Sequence, residues 1–232
     1  MNLKSFGCSF IFGSELSDNQ SAVDRGEKRA QVSQLTWPAH LARYLEHTYK
    51  CYARPGSGNL QILERMLNQA ASSNSSDLFV IGWTWIDRFD YYDLNYNPKE
   101  KITPWSTIMP IDETDLSKTY YKELHSEYQD KFTCLTYIKL AIDTLNQKNI
   151  PFIMTYMDEL LFEQKWHTTP AVTELQQYVK PYMTKFNDKT FLNWSRANNY
   201  PETAEWHPLE EAHQAAADYI IKVFDKQNTI DR

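Results

Sequence analysis

Apolar runs of strand length recur at Asn2 to Phe6, Thr48 to Ala53, Asp77 to Ile81 and Pro151 to Thr155, and between them the apolar spacing changes to that of helices. Thr36-Trp37-Pro38 opens the first helix: threonine suits the N-cap, proline the first turn, and Leu41, Tyr44 and Leu45 give one apolar face. Leu60, Leu63, Leu67 and Ala70, with Ile62 and Met66 beside them, form a second stripe of helical period. One long helix is expected from about Lys118 to Gln147 on Tyr121, Leu124, Tyr128, Leu135, Ile138, Ile142 and Leu145, with the polar Lys131 interrupting the stripe. Asp158 opens a short acidic turn, and helices follow near Thr169 to Met183 and Phe191 to Asn198. Pro208 opens the last helix, which turns Leu209, Ala212, Ala216, Tyr219, Ile220 and Val223 inward.

Strands and helices alternate with short connections, which implies an α/β fold whose central sheet is mostly parallel, with helices on both faces. No internal repeat and no Gly/Ser linker divides the chain, so residues 1–232 are expected to form one domain. Two stretches break the pattern. Residues 14–33 are polar without a period and read as a surface excursion; residues 86–117, rich in Tyr, Asp and Pro, read as an irregular insertion, a lid over the site.

Composition narrows the partners. With 24 Lys+Arg against 30 Asp+Glu the net charge is −6 and there is no basic stripe, which argues against a nucleic-acid partner. The three cysteines, Cys8, Cys51 and Cys134, are widely spaced and make neither a disulfide framework nor a metal motif; they read as small buried thiols. The N-terminus opens directly into a strand with no signal-peptide pattern, and no apolar run reaches the length of a membrane span, so a cytoplasmic protein without membrane contact is expected. Aromatic residues make up 14% of the chain, enough either to line a ligand groove or simply to fill the core.

The candidate chemistry gathers at strand ends, where open α/β sheets bind ligands. Gly7-Cys8-Ser9 follows the first strand, Gly56-Ser57-Gly58-Asn59 the second and Gly82-Trp83-Thr84 the third, while His207-Pro208 starts the last helix. Ser9 reads either as a nucleophile, which needs an adjacent base, or as a helix N-cap. His207 is the best base, and a carboxylate beside it would set its tautomer; Glu205, two residues away, can serve or can be an exposed loop carboxylate. Gly58 has the backbone freedom that an oxyanion donor needs. Asn59 caps a helix or donates its amide, and Thr84-Trp85-Ile86-Asp87 also fits a capping box. Arg88 pairs with Asp87 or Asp90, or contacts an acidic group of a substrate. His213, about 240° around a helix from His207, cannot share a metal with it and reads as packing; no metal or cofactor motif stands out, since the Gly56-Ser57-Gly58 loop lacks the third glycine of a dinucleotide site.

These four blocks in this order resemble the SGNH/GDSL hydrolase superfamily, and most of all those SGNH-like proteins, many from bacteriophages, that share an FGCS start, a PGSGN second block and an HPxxxxH end. The resemblance spans Phe6 to His213 and implies a three-layer α/β/α sandwich of flavodoxin-like topology. It implies a serine nucleophile at Ser9, a base at His207 and oxyanion donors at Ser9 and Gly58, with the family's asparagine position falling on Thr84 and its usual aspartate position on Ala204. The implied activity is hydrolysis of a small acyl ester, with O-deacetylation of a carbohydrate favoured and a small-molecule or glycan ester as partner. The departures at Thr84 and Ala204 motivate the alternative, a non-catalytic glycan-binding or virion-associated module.

Overall fold

A computed structural model describes residues 1–19, 31–98 and 103–230. The remainder of the polar stretch, residues 20–30, lies outside the described residues. Four parallel strands build the sheet: β1 (Asn2–Phe6), β2 (Thr48–Cys51), β3 (Asp77–Trp83) and, after the hairpin strands β4 (Phe89–Tyr92) and β5 (Trp105–Ile108), β6 (Phe152–Tyr156). Their order is β2-β1-β3-β6, with Phe6 opposite Ile81 and Trp83 opposite Tyr156. Met183 adds a parallel bridge to Met154 at the outer edge. This is the flavodoxin-like order, and its switch point lies between β1 and β3.

The helices are α1 (Ser9–Phe12), α2 (Trp37–Tyr44), α3 (Asn59–Ala70), α4 (Asp115–Glu123), α5 (Glu127–Gln147), α6 (Pro170–Val179), α7 (Phe191–Ala197) and α8 (Glu210–Ile230). Side chains alternate across each strand. Phe79, Ile81 and Trp83 of β3 face α3, α5 and α6, whereas Leu78 and Val80 face α2, α7 and α8, giving two apolar layers, one on each side of the sheet. β3 is buried along its whole length, as a central parallel strand must be.

Several boundaries differ from those expected. The long helix is two: α4 ends at Glu123 and α5 starts at Glu127, because Ser126 adopts extended backbone and its hydroxyl caps the Gln129 N–H. Leu124, expected inward, is 69% exposed at that break. Lys131 stays in the buried stripe because its ammonium reaches the carbonyls of Glu163 and Trp166. The insertion is not irregular: it holds the β4–β5 hairpin. β3 runs on to Trp83, and α8 begins at Glu210 rather than Pro208, since Pro208 bridges to Glu202.

One close approach positions everything near Ser9. Ile11 of α1 sits against the C-terminal ends of β1 and β3, where a Cβ on Gly7 would lie 2.5 Å from its Cγ1 and one on Gly82 would lie 2.7 Å away. Both glycines are therefore required by packing. On the same side, buried His213 of α8 uses Nδ1 to accept the Trp37 N–H at 3.1 Å, the first backbone donor of α2. Accepting there requires a neutral ring, and burial drives its pKa down to about 3. The unfolded chain binds this proton near pH 6.5 and the folded one does not. His213 thus contributes stability that is complete above about pH 6.5 and falls by at most ~1.4 kcal/mol per pH unit as the medium is acidified towards pH 3. Urea unfolding of the wild type and His213→Gln from pH 7.5 to 4.5 should show this part of the acid slope only in the wild type; parallel slopes would contradict it.

Candidate active site

Ser9 emerges at the switch point. It is the first residue of α1, and the residue that takes the N-cap position is Cys8, which makes no side-chain cap bond. The capping role considered for Ser9 is therefore not used. Ser9 is 8% exposed, and its N–H lies in the first turn of α1, where no intrahelical acceptor exists. Cys8 is buried, as expected for a small packing residue.

His207 reaches this point from the segment before α8, its ring edge-on to Phe10 with centroids 5.2 Å apart. Its Nδ1 donates to Glu15 Oε2 at 2.5 Å. Because an ionised carboxylate only accepts, this bond puts the proton on Nδ1 and leaves Nε2 with its lone pair. Thr203 closes the arrangement: its hydroxyl donates to the same Glu15 oxygen at 2.7 Å and accepts the His207 N–H at 3.2 Å. The His207 bond is the largest influence on Glu15 and holds it below the usual carboxylate range, with burial opposing and Thr203 assisting. Glu15 itself adopts the left-handed backbone region (φ 66°), two residues after Gly13 (φ 80°) ends α1 in the same region. Such a backbone in a non-glycine residue is costly and is characteristic of sites that need it.

The carboxylate on His207 is thus Glu15, not Glu205. Glu205 is exposed and makes no hydrogen bond or ion pair among the described residues, because the left-handed turn at Trp206 (φ 63°) separates it from the ring. Glu15 lies in the polar stretch 192 positions away, where no period or motif marks it. Among the described residues no hydrogen bond joins Ser9 Oγ to His207.

The expected oxyanion donors are employed differently. The Gly58 N–H donates to Asp90 Oδ1 at 2.9 Å, and the Gln61 N–H donates to Asp90 Oδ2 at 3.0 Å. Gln61 Nε2 and the Thr107 hydroxyl complete the carboxylate's shell. Asp90, from β4, caps α3 from outside its own sequence, taking the donors that a capping box would take. Position 58 must be glycine because a Cβ there would meet the carboxylate at 2.6 Å. Asn59 is neither cap nor free amide: its Oδ1 accepts the Thr84 N–H at 2.9 Å, and its Nδ2 donates to the carbonyls of Thr84 and Trp85, tying α3 to the end of β3. Thr84 does not open a helix; the Ile86 N–H goes instead to Asp158. The Thr84 hydroxyl is buried without a hydrogen-bond partner. Arg88 pairs with neither Asp87 nor Asp90; it donates to the Ser57 carbonyl at 3.1 Å and stacks on Trp85 at 4.9 Å.

Of the larger concavities, one of about 300 Å³ is lined by Arg88, Asp90, Asp130 and Tyr137, and one of about 170 Å³ by Asp87, His125 and Asp130. Neither is lined by Ser9 or His207. Among the described residues no cluster of three or more His, Cys, Asp or Glu side chains is arranged to hold a metal ion, and no helix is long and apolar enough to cross a membrane.

The sequence matches no family model and no curated protein. Among solved structures it is similar to the acetyl xylan esterase Est2A from Butyrivibrio proteoclasticus (TM-score 0.52, 12% identity, covering 98% of this chain and 64% of that one). It is also similar to the esterase EstA from Pseudoalteromonas sp. (0.51, 8%, 98% of both chains) and to TesA (0.51, 11%, 96% and 97%). The chain therefore shares the fold of these three proteins.

The Asp90 cap makes a direct prediction. Asp90→Ala leaves several buried donors unsatisfied, each worth about 1–3 kcal/mol, so urea unfolding should show a loss of about 2–4 kcal/mol, with Asp90→Asn losing less. A loss under about 0.5 kcal/mol for Asp90→Ala would mean that the cap is not holding the hairpin on α3.

Proposed function

We propose that the protein is a serine esterase in which Ser9 is the nucleophile, His207 its general base and Glu15 the residue that orients His207. The observation that carries this reading is the Glu15–His207 bond at 2.5 Å, clamped by Thr203, which commits Nδ1 and leaves Nε2 as base at the switch point from which Ser9 emerges. Ser9 Oγ attacks the ester carbonyl while His207 Nε2 takes its proton, and the imidazolium is stabilised by Glu15. The proton then passes to the leaving alcohol, and water, activated by the same nitrogen, releases the acid from Ser9. The Ser9 N–H and the unpartnered hydroxyl of Thr84, at the end of the strand beside β1, are the donors assigned to the oxyanion.

The favoured substrate is a small acyl ester on a carbohydrate. Trp206, 56% exposed and held at a positive φ immediately before His207, presents a flat apolar face of the kind that stacks on sugar rings, and Trp85 lies edge-on to Phe10 from the other side. One of the structural neighbours, Est2A, is described as an acetyl xylan esterase. A second reading, a glycan-binding module without turnover, is favoured by one observation: the Gly58 N–H is occupied by Asp90.

Turnover of p-nitrophenyl acetate and labelling by a fluorophosphonate separate the two. Wild type should hydrolyse the ester and take the label on Ser9, with both lost in Ser9→Ala. Glu15→Gln should lower kcat by on the order of 10²–10⁴, since it removes the charge that fixes the imidazole, whereas Glu205→Gln should stay within about twofold. If wild type and Ser9→Ala behave alike, the binding module is the correct reading.

A further inference from the structure

We propose that Arg54 and Arg88 receive an anionic group of the substrate, so that this site selects acidic esters over neutral ones. The inference deepens the esterase reading and rests on it for the chemistry, although not for the binding.

Three guanidinium groups converge on the loop that leaves β2. Arg65, rising from α3, donates Nη2 to the Ser57 hydroxyl at 2.9 Å and to the Gly7 carbonyl at 3.4 Å, while its Nε is buried with no partner. Arg88 donates to the Ser57 carbonyl from the opposite side. Arg54 belongs to the loop itself, and its N–H bonds the Gly7 carbonyl, two residues before Ser9. Among the described residues none of the three makes an ion pair. Two carboxylates act on Arg65 at longer range, those of Asp90 and Glu64. Asp90 is already saturated by Gly58, Gln61 and Thr107, and Glu64 forms no ion pair. Burial first, and then the neighbouring Arg54, lower the Arg65 pKa to about 10, while Asp90 and Glu64 act in the opposite direction.

A chain carrying net charge −6 has ample acid to neutralise three arginines, yet among the described residues it leaves these without an ion pair at the edge of its candidate nucleophile, Asp87 acting on Arg88 only at longer range. Their placement also says where the anion sits. The 300 Å³ cavity that Arg88 borders presents Asp90 and Asp130, which repel an anion. On the loop side Arg88 stacks on the Trp85 ring, and Trp85 leads through Phe10 to His207. A planar carboxylate suits guanidinium forks, and stacking on Trp85 holds the Arg88 fork in a fixed plane.

The test compares acetylated trigalacturonate, which carries carboxylates, with acetylated xylotriose, which does not. Wild type should prefer the acidic ester in kcat/KM by about tenfold or more, and 0.5 M NaCl should erode the preference. Arg54→Gln and Arg88→Gln should each reduce the ratio of the two kcat/KM values several-fold, chiefly through KM, and Arg88→Lys should restore part of it. Calorimetric binding of unacetylated trigalacturonate and xylotriose to Ser9→Ala supplies an arm independent of turnover, with thermal melts showing that each variant folds. If neither ester is cleaved but trigalacturonate alone binds, and Arg54→Gln abolishes that binding, the esterase reading fails and the anion site stands. Equal affinity for the two sugars, or no binding of either, overturns the proposal, as does an unchanged ratio in both arginine variants.

Discussion

The seating of Ile11 against Gly7 and Gly82 is the constraint from which the site follows. A Cβ at either glycine would displace it, so the close packing of α1 on the ends of β1 and β3 depends on two residues without side chains. With α1 so placed, Ser9 stands at the switch point and Gly13 turns the chain through a left-handed residue. Glu15, two residues later and itself left-handed, meets the His207 ring. The proposed nucleophile and the carboxylate on His207 are carried by one short segment, and only the histidine arrives from a distance. Ser17 reinforces the closure, its N–H donating to Glu210 at the start of α8 at 2.7 Å.

The second organising element is electrostatic. Asp90 brings one carboxylate to the start of α3 and thereby joins the β4–β5 hairpin to the main body. That single bond set has two consequences of opposite sign for chemistry: it fixes the loop that carries Arg54 and Ser57, and it withdraws the Gly58 N–H from any oxyanion. A helix start that would attract an incoming anion is thus already neutralised, and guanidinium groups that make no ion pair among the described residues lie beside it.

Much of this was legible in the chain. β1 and β3 read as apolar runs because both faces of a central parallel strand are buried, and the helical stripes of α3 and α8 read because one face alone is. The placement of His207-Pro208 before the last helix and of Gly7-Cys8-Ser9 at the end of β1 was legible because small and polar residues at the ends of regular elements have local signatures. Glu15 was not: its partner is 192 residues away, and nothing in a polar stretch distinguishes one carboxylate from another. Glu205, nearer in sequence, lost to geometry when Trp206 turned left-handed. Asp90 was hidden for the same reason, since a cap supplied from another element leaves no local motif. The break at Ser126 had a signal, a serine three residues before Gln129, which the continuous apolar stripe overrode.

The central claim is that Glu15 holds His207 with its proton on Nδ1. Nuclear magnetic resonance of the histidine ring tests it without any substrate. The wild type should show a strongly deshielded His207 Nδ1 proton near neutral pH, kept in Glu205→Gln and lost in Glu15→Gln. A His207 ring protonated on Nε2 instead, or an Nδ1 signal unchanged when Glu15 is replaced, would contradict the account.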